Sequence, residues 1–138
     1  MSTNQDEKFV ISRASEAKFT DDKFRDWLIS RDLGLDFATN GAYGGQITRA
    51  REVGHTTGKH WHPMTFQMVY VLKGWVKFWY EGEGEFTFHA GDFVYHPPKA
   101  MHDLLDYSED MELLEIYSPG NPGTIEPSSA TEKTAVPA

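Results

Sequence analysis

Between residues 65 and 117 the sequence never lets the chain run far in one conformation. An apolar and aromatic run over 65–72 ends at Lys73-Gly74, and a second over 75–81 ends at Gly82-Glu83-Gly84. A third over 85–89 is closed by Gly91-Asp92, and a fourth over 93–96 by Pro97-Pro98. The runs 102–107 and 111–117 then meet across Ser108-Glu109-Asp110. Short β-prone runs separated by Gly, Pro, Asp and Ser read as antiparallel strands joined by tight turns. That rhythm predicts an all-β sandwich or barrel. A further strand is expected over 46–53, although Arg49 and Arg51 share a face with Ile47 and leave its buried side undecided.

The segment before this is less regular. Residues 8–12 (KFVIS) suggest an edge strand. Thr20-Asp21-Asp22 resembles a helix start, with a capping hydroxyl and two acids where the macrodipole favours them. Phe24, Trp27 and Leu28 then fall at helical spacing, so a short helix ending at Gly34 is predicted. Gly41, Gly44 and Gly45 argue for a loop over 38–45.

Composition excludes more than it selects. The 138 residues suffice for one domain with its own core. Thirteen basic against twenty-one acidic side chains give a net charge of −8, which repels phosphate backbones, so no nucleic-acid partner is expected. No apolar run is long enough to span a bilayer, and no signal-peptide core follows Met1, so a soluble cytoplasmic protein is expected. The absence of cysteine removes disulfides and thiolate ligands from consideration.

The chemistry is concentrated elsewhere. His60 and His62 stand one residue apart, and a strand would place both on one face, where two imidazoles can hold one metal ion. His102 follows forty residues after His62, just beyond Pro97-Pro98, and Gln67 offers an amide close to the first pair. His96, before the proline pair, is a candidate catalytic proton shuttle or a buried, hydrogen-bonded core residue. No catalytic carboxylate adjoins the first pair of histidines, so water, His96 or a tyrosine are the expected bases. The run 65–80 is apolar or aromatic on both faces, which predicts an outer face covered by the N-terminal segment or by a second subunit, and a homodimer is expected.

These residues resemble the two motifs of the cupins. Gly54-x5-His60-x-His62-x4-Gln67-x6-Gly74 is similar to the first, in which the position of Gln67 is usually glutamate. Gly91-Asp92-x4-Pro97-x4-His102-x3-Asp106 is similar to the second, with Lys99 where glycine is usual and Asp106 where asparagine is often found. The resemblance implies a double-stranded β-barrel of jelly-roll type over residues 46–118. An N-terminal extension with one short helix (1–45) and a flexible C-terminal tail (119–138) complete the expected domain plan. It also implies that His60, His62, Gln67 and His102 converge on one divalent ion inside the barrel. With glutamine in place of glutamate the site carries one less negative charge, which favours Fe, Zn or Ni over Mn. The function implied is a mononuclear metalloenzyme of quercetin-dioxygenase, lyase or isomerase type, acting on a small organic molecule. The alternative is a non-catalytic module that binds a metal and a metabolite.

Overall fold

The computed structural model describes residues 7–22 and 25–121, together with the backbone of Thr124–Ile125 and Ala135–Val136. Two antiparallel sheets face each other as a β-barrel of jelly-roll type. The strands are β1 (Thr20–Asp21), β2 (Leu28–Asp32), β3 (Gly44–Ala50), β4 (Phe66–Lys73) and β5 (Trp75–Tyr80). They continue as β6 (Gly84–His89), β7 (Phe93–Tyr95), β8 (His102–Tyr107) and β9 (Glu112–Ser118). The larger sheet runs β1-β2-β3-β9-β4-β7 and the smaller β6-β5-β8. The expected tail over 119–138 lies mostly outside the described residues.

Period-two burial sorts the strands into an inside and an outside. On β5, Val76, Phe78 and Tyr80 are buried while Trp75, Lys77 and Trp79 are half-exposed. On β4, Gln67, Val69 and Val71 point inward, and Tyr70 and Leu72 remain exposed. Val69, Val71, Val76, Phe78 and Leu113 meet in one hydrophobic cluster between the sheets. Each fully buried aliphatic or aromatic side chain of this kind contributes about 1.5–3 kcal/mol over its exposed state.

Two features tune the register. A bulge interrupts β5–β8 pairing between Lys77 and Phe78, where Lys77 pairs with Asp106 but Phe78 with Leu104. The extra residue lets His102, Leu104 and Tyr107 all be buried on one strand, which strict alternation would forbid. At the β4–β5 turn, Gly74 has φ +67°, and an added Cβ would meet Ser108 Oγ, Asp110 Oδ1 and the Met111 backbone. Here Ser108 Oγ accepts the Trp75 N–H at 2.9 Å, so the β8–β9 turn locks onto the β4–β5 turn.

The N-terminal segment departs from expectation. Among the described residues of 20–33 no helix forms. Leu28–Asp32 is instead a strand paired with β3, from Leu28↔Ala50 to Asp32↔Gln46. Three apolar residues at helical spacing are a weak nucleus, and the open edge of β3 offers backbone bonds along the whole of β2. Trp27 stacks on Tyr107 at 5.4 Å and on His55 at 5.3 Å, and its carbonyl accepts the Arg51 N–H. Phe24 lies outside the described residues. The α-helix found among the described residues is α1 (Leu35–Ala38), which begins after Gly34 instead of ending there. Residues 8–12 form no strand. The segment is tied to the fold by Lys8 N–H to Ala38 O, Lys8 Nζ to Asn40 Oδ1 and Arg31 to Ser12 Oγ, while Phe9 is 90% exposed.

Candidate metal centre

His60 and His102 are brought together by the backbone. They are a single antiparallel bridge pair, each donating its N–H to the other's carbonyl, at 2.9 and 2.8 Å. Sequence spacing predicts a regular strand through His60 and His62. The chain there is extended but forms isolated bridges instead of a continuous ladder, and β4 starts only at Phe66. Pro63 lacks an N–H, which works against a continuous ladder at that point.

The same local device orients both rings. His60 Nδ1 bonds Gly58 O at 2.8 Å, and His102 Nδ1 bonds Ala100 O at 2.9 Å, each two residues back along the chain. A carbonyl can only accept, so Nδ1 carries the proton and Nε2 keeps its lone pair. The preceding turns make this possible. Gly58 has φ +75°, and Lys99 adopts a left-handed φ of +64° in a turn closed by Ala100 N–H to Pro97 O at 3.0 Å. The glycine usual in the cupin motif would reach that conformation without strain, whereas Lys99 pays for it sterically.

One candidate ligand nitrogen from each of His60, His62 and His102 lies within 4.8 Å of the other two. His60 and His102 are buried and His62 half-buried. Burial, reinforced by repulsion from the neighbouring imidazoles, pushes His60 down to about 2 and His102 to about 4. Both rings are therefore neutral near pH 7, the form a metal requires. Neutral donors on buried rings with fixed tautomers fit a divalent transition metal. The chemistry of the donor set and the convergence of the three rings therefore agree.

Gln67 lines the same cavity and is 7% exposed. Its backbone carbonyl accepts the His96 N–H at 2.9 Å, which ties β4 to the chain beyond β7. His96 is 2% exposed, with its ring 4.5 Å from that of His102. One ring nitrogen, Nε2, pairs with Tyr80 Oη at 2.9 Å, while buried Nδ1 has no partner among the described residues. Burial lowers His96 to about 2 and raises the Tyr80 phenol, so both members of this pair are neutral.

The cavity these groups line has a volume of about 330 Å³ and holds residues that the sequence reading missed. Two carboxylates line it, Asp22 and Glu115, the latter on β9. Glu115 accepts Thr48 Oγ1–H at 2.6 Å and Gln46 Nε2–H at 3.4 Å, both on Oε2. Gln46 is its cross-strand partner, so pairing of β3 with β9 delivers the contact. Burial raises the Glu115 carboxyl above its ordinary value, and the two hydrogen bonds oppose that rise. A signal existed in the sequence, since Met111, Leu113 and Glu115 alternate along one strand and set an acid on an otherwise apolar face. Arg25 lines the cavity too, and its charge helps hold His60 and His102 deprotonated. Nothing in its sequence context marks it.

Residues 50–117 match the family model described as the cupin domain. The chain carries a cupin domain. Solved structures of the same fold include KdgF from Halomonas sp., 20% identical, with 81% of this chain and 94% of that one covered at a TM-score of 0.64. The polyketide cyclase RemF from Streptomyces resistomycificus is 13% identical, over 91% of this chain and 94% of that one, at 0.70. Oxalate decarboxylase from Bacillus subtilis, described with Mn(II) centres, is 17% identical, over 80% of this chain and 31% of that one, at 0.64. No curated protein matches the sequence. At these identities the likeness establishes the cupin fold, and chemistry must be argued from the site.

Proposed function

We propose that this cupin is a mononuclear metalloenzyme acting on a small, oxygen-bearing organic molecule. His60, His62 and His102 would hold the ion, with the Gln67 amide as the fourth protein donor. The observation that carries the reading is the convergence of three imidazoles on a cavity of about 330 Å³, room for a small metabolite. A bound divalent ion would supply a Lewis acid for a substrate oxygen. Arg25 adds a fixed positive charge to the same cavity, which favours a substrate bearing a carboxylate or an incipient oxyanion. The His96–Tyr80 pair is the proton relay at this end. Its unpartnered Nδ1 can exchange a hydrogen bond with a bound molecule, while Tyr80 fixes the ring from the other side.

Iron, zinc and nickel suit three neutral imidazoles and an amide. Manganese ranks below them on charge grounds, although the Mn(II) centres of the oxalate decarboxylase neighbour make it the competitor to exclude. Dioxygenase-type chemistry accompanies iron, and lyase or isomerase chemistry accompanies zinc or nickel. Exposed Tyr70, Leu72, Phe93 and Tyr95 project from the outer face of β4 and β7 and supply the apolar surface a homodimer would bury. Among the described residues no helix is long and apolar enough to cross a membrane, and a cytoplasmic location is part of the proposal.

The test is elemental analysis of protein purified without an affinity tag. Oxygen uptake and product analysis with diketones, flavonols and thiols follow. One ion per chain, lost in His60→Ala and in His102→Ala, is the expected result. A wild-type protein that binds none of the four metals would end the proposal. Bound metal with no turnover on any substrate would leave a metal- and metabolite-binding module.

A further inference from the structure

Glu115 is the acid whose surroundings the metal site does not explain. Both of its hydrogen bonds fall on Oε2, and among the described residues none falls on Oε1. Oε1 is not sealed off either. The buried side-chain polar atom left without a partner is His96 Nδ1, and Glu115 keeps part of its surface open while lining the cavity. The carboxylate is thus clamped by one oxygen and presented by the other. Glu115 pairs with Val69 and Gln67 with Tyr117, which makes Glu115 and Gln67 diagonal neighbours on the inner face of β9 and β4. Such neighbours have backbones about 7–8 Å apart and Cβ atoms somewhat closer, so one small molecule can touch both side chains.

We propose that Glu115 is the catalytic base and acid of this cavity, moving a proton within an enolisable carbonyl acid through Oε1. The inference rests on the preceding reading and narrows it to isomerase-type proton transfer. Oε1 takes the proton from the carbon next to the carbonyl. The C–H pair becomes a carbon–carbon double bond, and the carbonyl π pair moves onto oxygen, in a cavity where Arg25 supplies positive charge. Glu115, now a carboxylic acid, returns the proton to a different atom of the same molecule. Carboxylate is regenerated, the product is an isomer, and no oxidant or reductant enters. Burial that raises the carboxyl makes it a stronger base for carbon acids than an exposed glutamate. The charged or titratable groups that share its cavity are Asp22, Arg25 and the histidines, of which Asp22 reinforces the rise.

The experiment follows deuterium uptake from D2O by NMR. Pyruvate and 2-oxoglutarate are the probes, acetylacetone is the uncharged comparison, and the protein is used as purified with its metal content measured. Glu115→Gln keeps the shape of the side chain and should lower exchange at least about 100-fold, with metal content unchanged. Thr48→Val removes one bond to Oε2 and should shift the acid limb of the exchange profile to higher pH. In metal-free protein labelled at glutamate carboxyls, one 13C resonance should titrate above the usual range and vanish in Glu115→Gln. Exchange by Glu115→Gln at the wild-type rate with normal metal content would overturn the role of Glu115 and leave the metalloenzyme reading standing. No exchange above the protein-free rate on any probe would overturn the inference even if metal is bound. If Glu115→Gln fails to fold, an unshifted pH profile in Thr48→Val would overturn it instead.

Discussion

The two ends of the cavity are built on different plans. At the histidine end, His60 and His102 each take their orientation from a carbonyl two residues back, and one backbone bridge unites them. At the acid end, Glu115 is held by Thr48 and Gln46, from a strand about seventy residues away in sequence. The first is a pair of local devices that meet once; the second exists only after β3 and β9 have paired. Local devices leave a spaced motif in the sequence, and cross-strand ones do not. The difference also separates tasks, since neutral imidazoles suit an ion while a carboxylate of raised pKa suits a proton.

The largest effect that would break this contrast is expected at the histidine end. His102→Ala should lower metal affinity by more than the ~10–100-fold typical of losing an outer-shell partner, as read by competition with a chelator. Retained affinity would mean that the rings do not act together. Gln67→Glu restores the missing charge and should raise divalent-ion affinity by about tenfold. If affinity is unchanged, residue 67 does not touch the ion, and the amide belongs to the cavity wall.

Smaller effects sharpen the acid end. Thr48→Val should cost about 1 kcal/mol of stability in denaturant titration, the worth of a typical hydrogen bond. Glu115 also predicts the sign of a pH effect. Its folded carboxyl binds protons more tightly than the unfolded one, whose value is near 4.5. The wild-type protein should therefore lose stability relative to Glu115→Gln as pH rises from about 4.5 through the raised value, and the difference should then level off. Parallel stability curves for the two proteins would contradict the raised carboxyl. The smallest change returns to the histidine end: Lys99→Gly removes a left-handed lysine but adds chain entropy. The two oppose each other, so a gain within about 1 kcal/mol is expected in thermal unfolding.

Much of this molecule was legible beforehand. The turns at Gly74 and Gly91-Asp92 and the runs between them placed β4 to β9 to within a residue or two, because a turn and the runs it bounds are neighbours in sequence even where, as here, the two strands enter different sheets. The His60–His62 pair was legible for a related reason, since spacing of two on an extended chain puts rings on one side whether or not a full strand forms, while His102 stood out through the second cupin-like motif. The N-terminal segment was misread because Trp27 and Leu28 satisfy a helical pattern, and only the free edge of β3 makes them a strand. Arg25 was unreadable for the same reason, as its place at the cavity depends on how the chain enters β2.

The sequence by itself determined the barrel's rhythm and the residues able to bind an ion, because both follow from period and spacing along the backbone. Only the tertiary structure decided what shares the cavity with them. Glu115, Thr48, Gln46 and Arg25 reach it through pairings between distant strands, and a pairing register is fixed by the packing of whole faces, which no single stretch of sequence records.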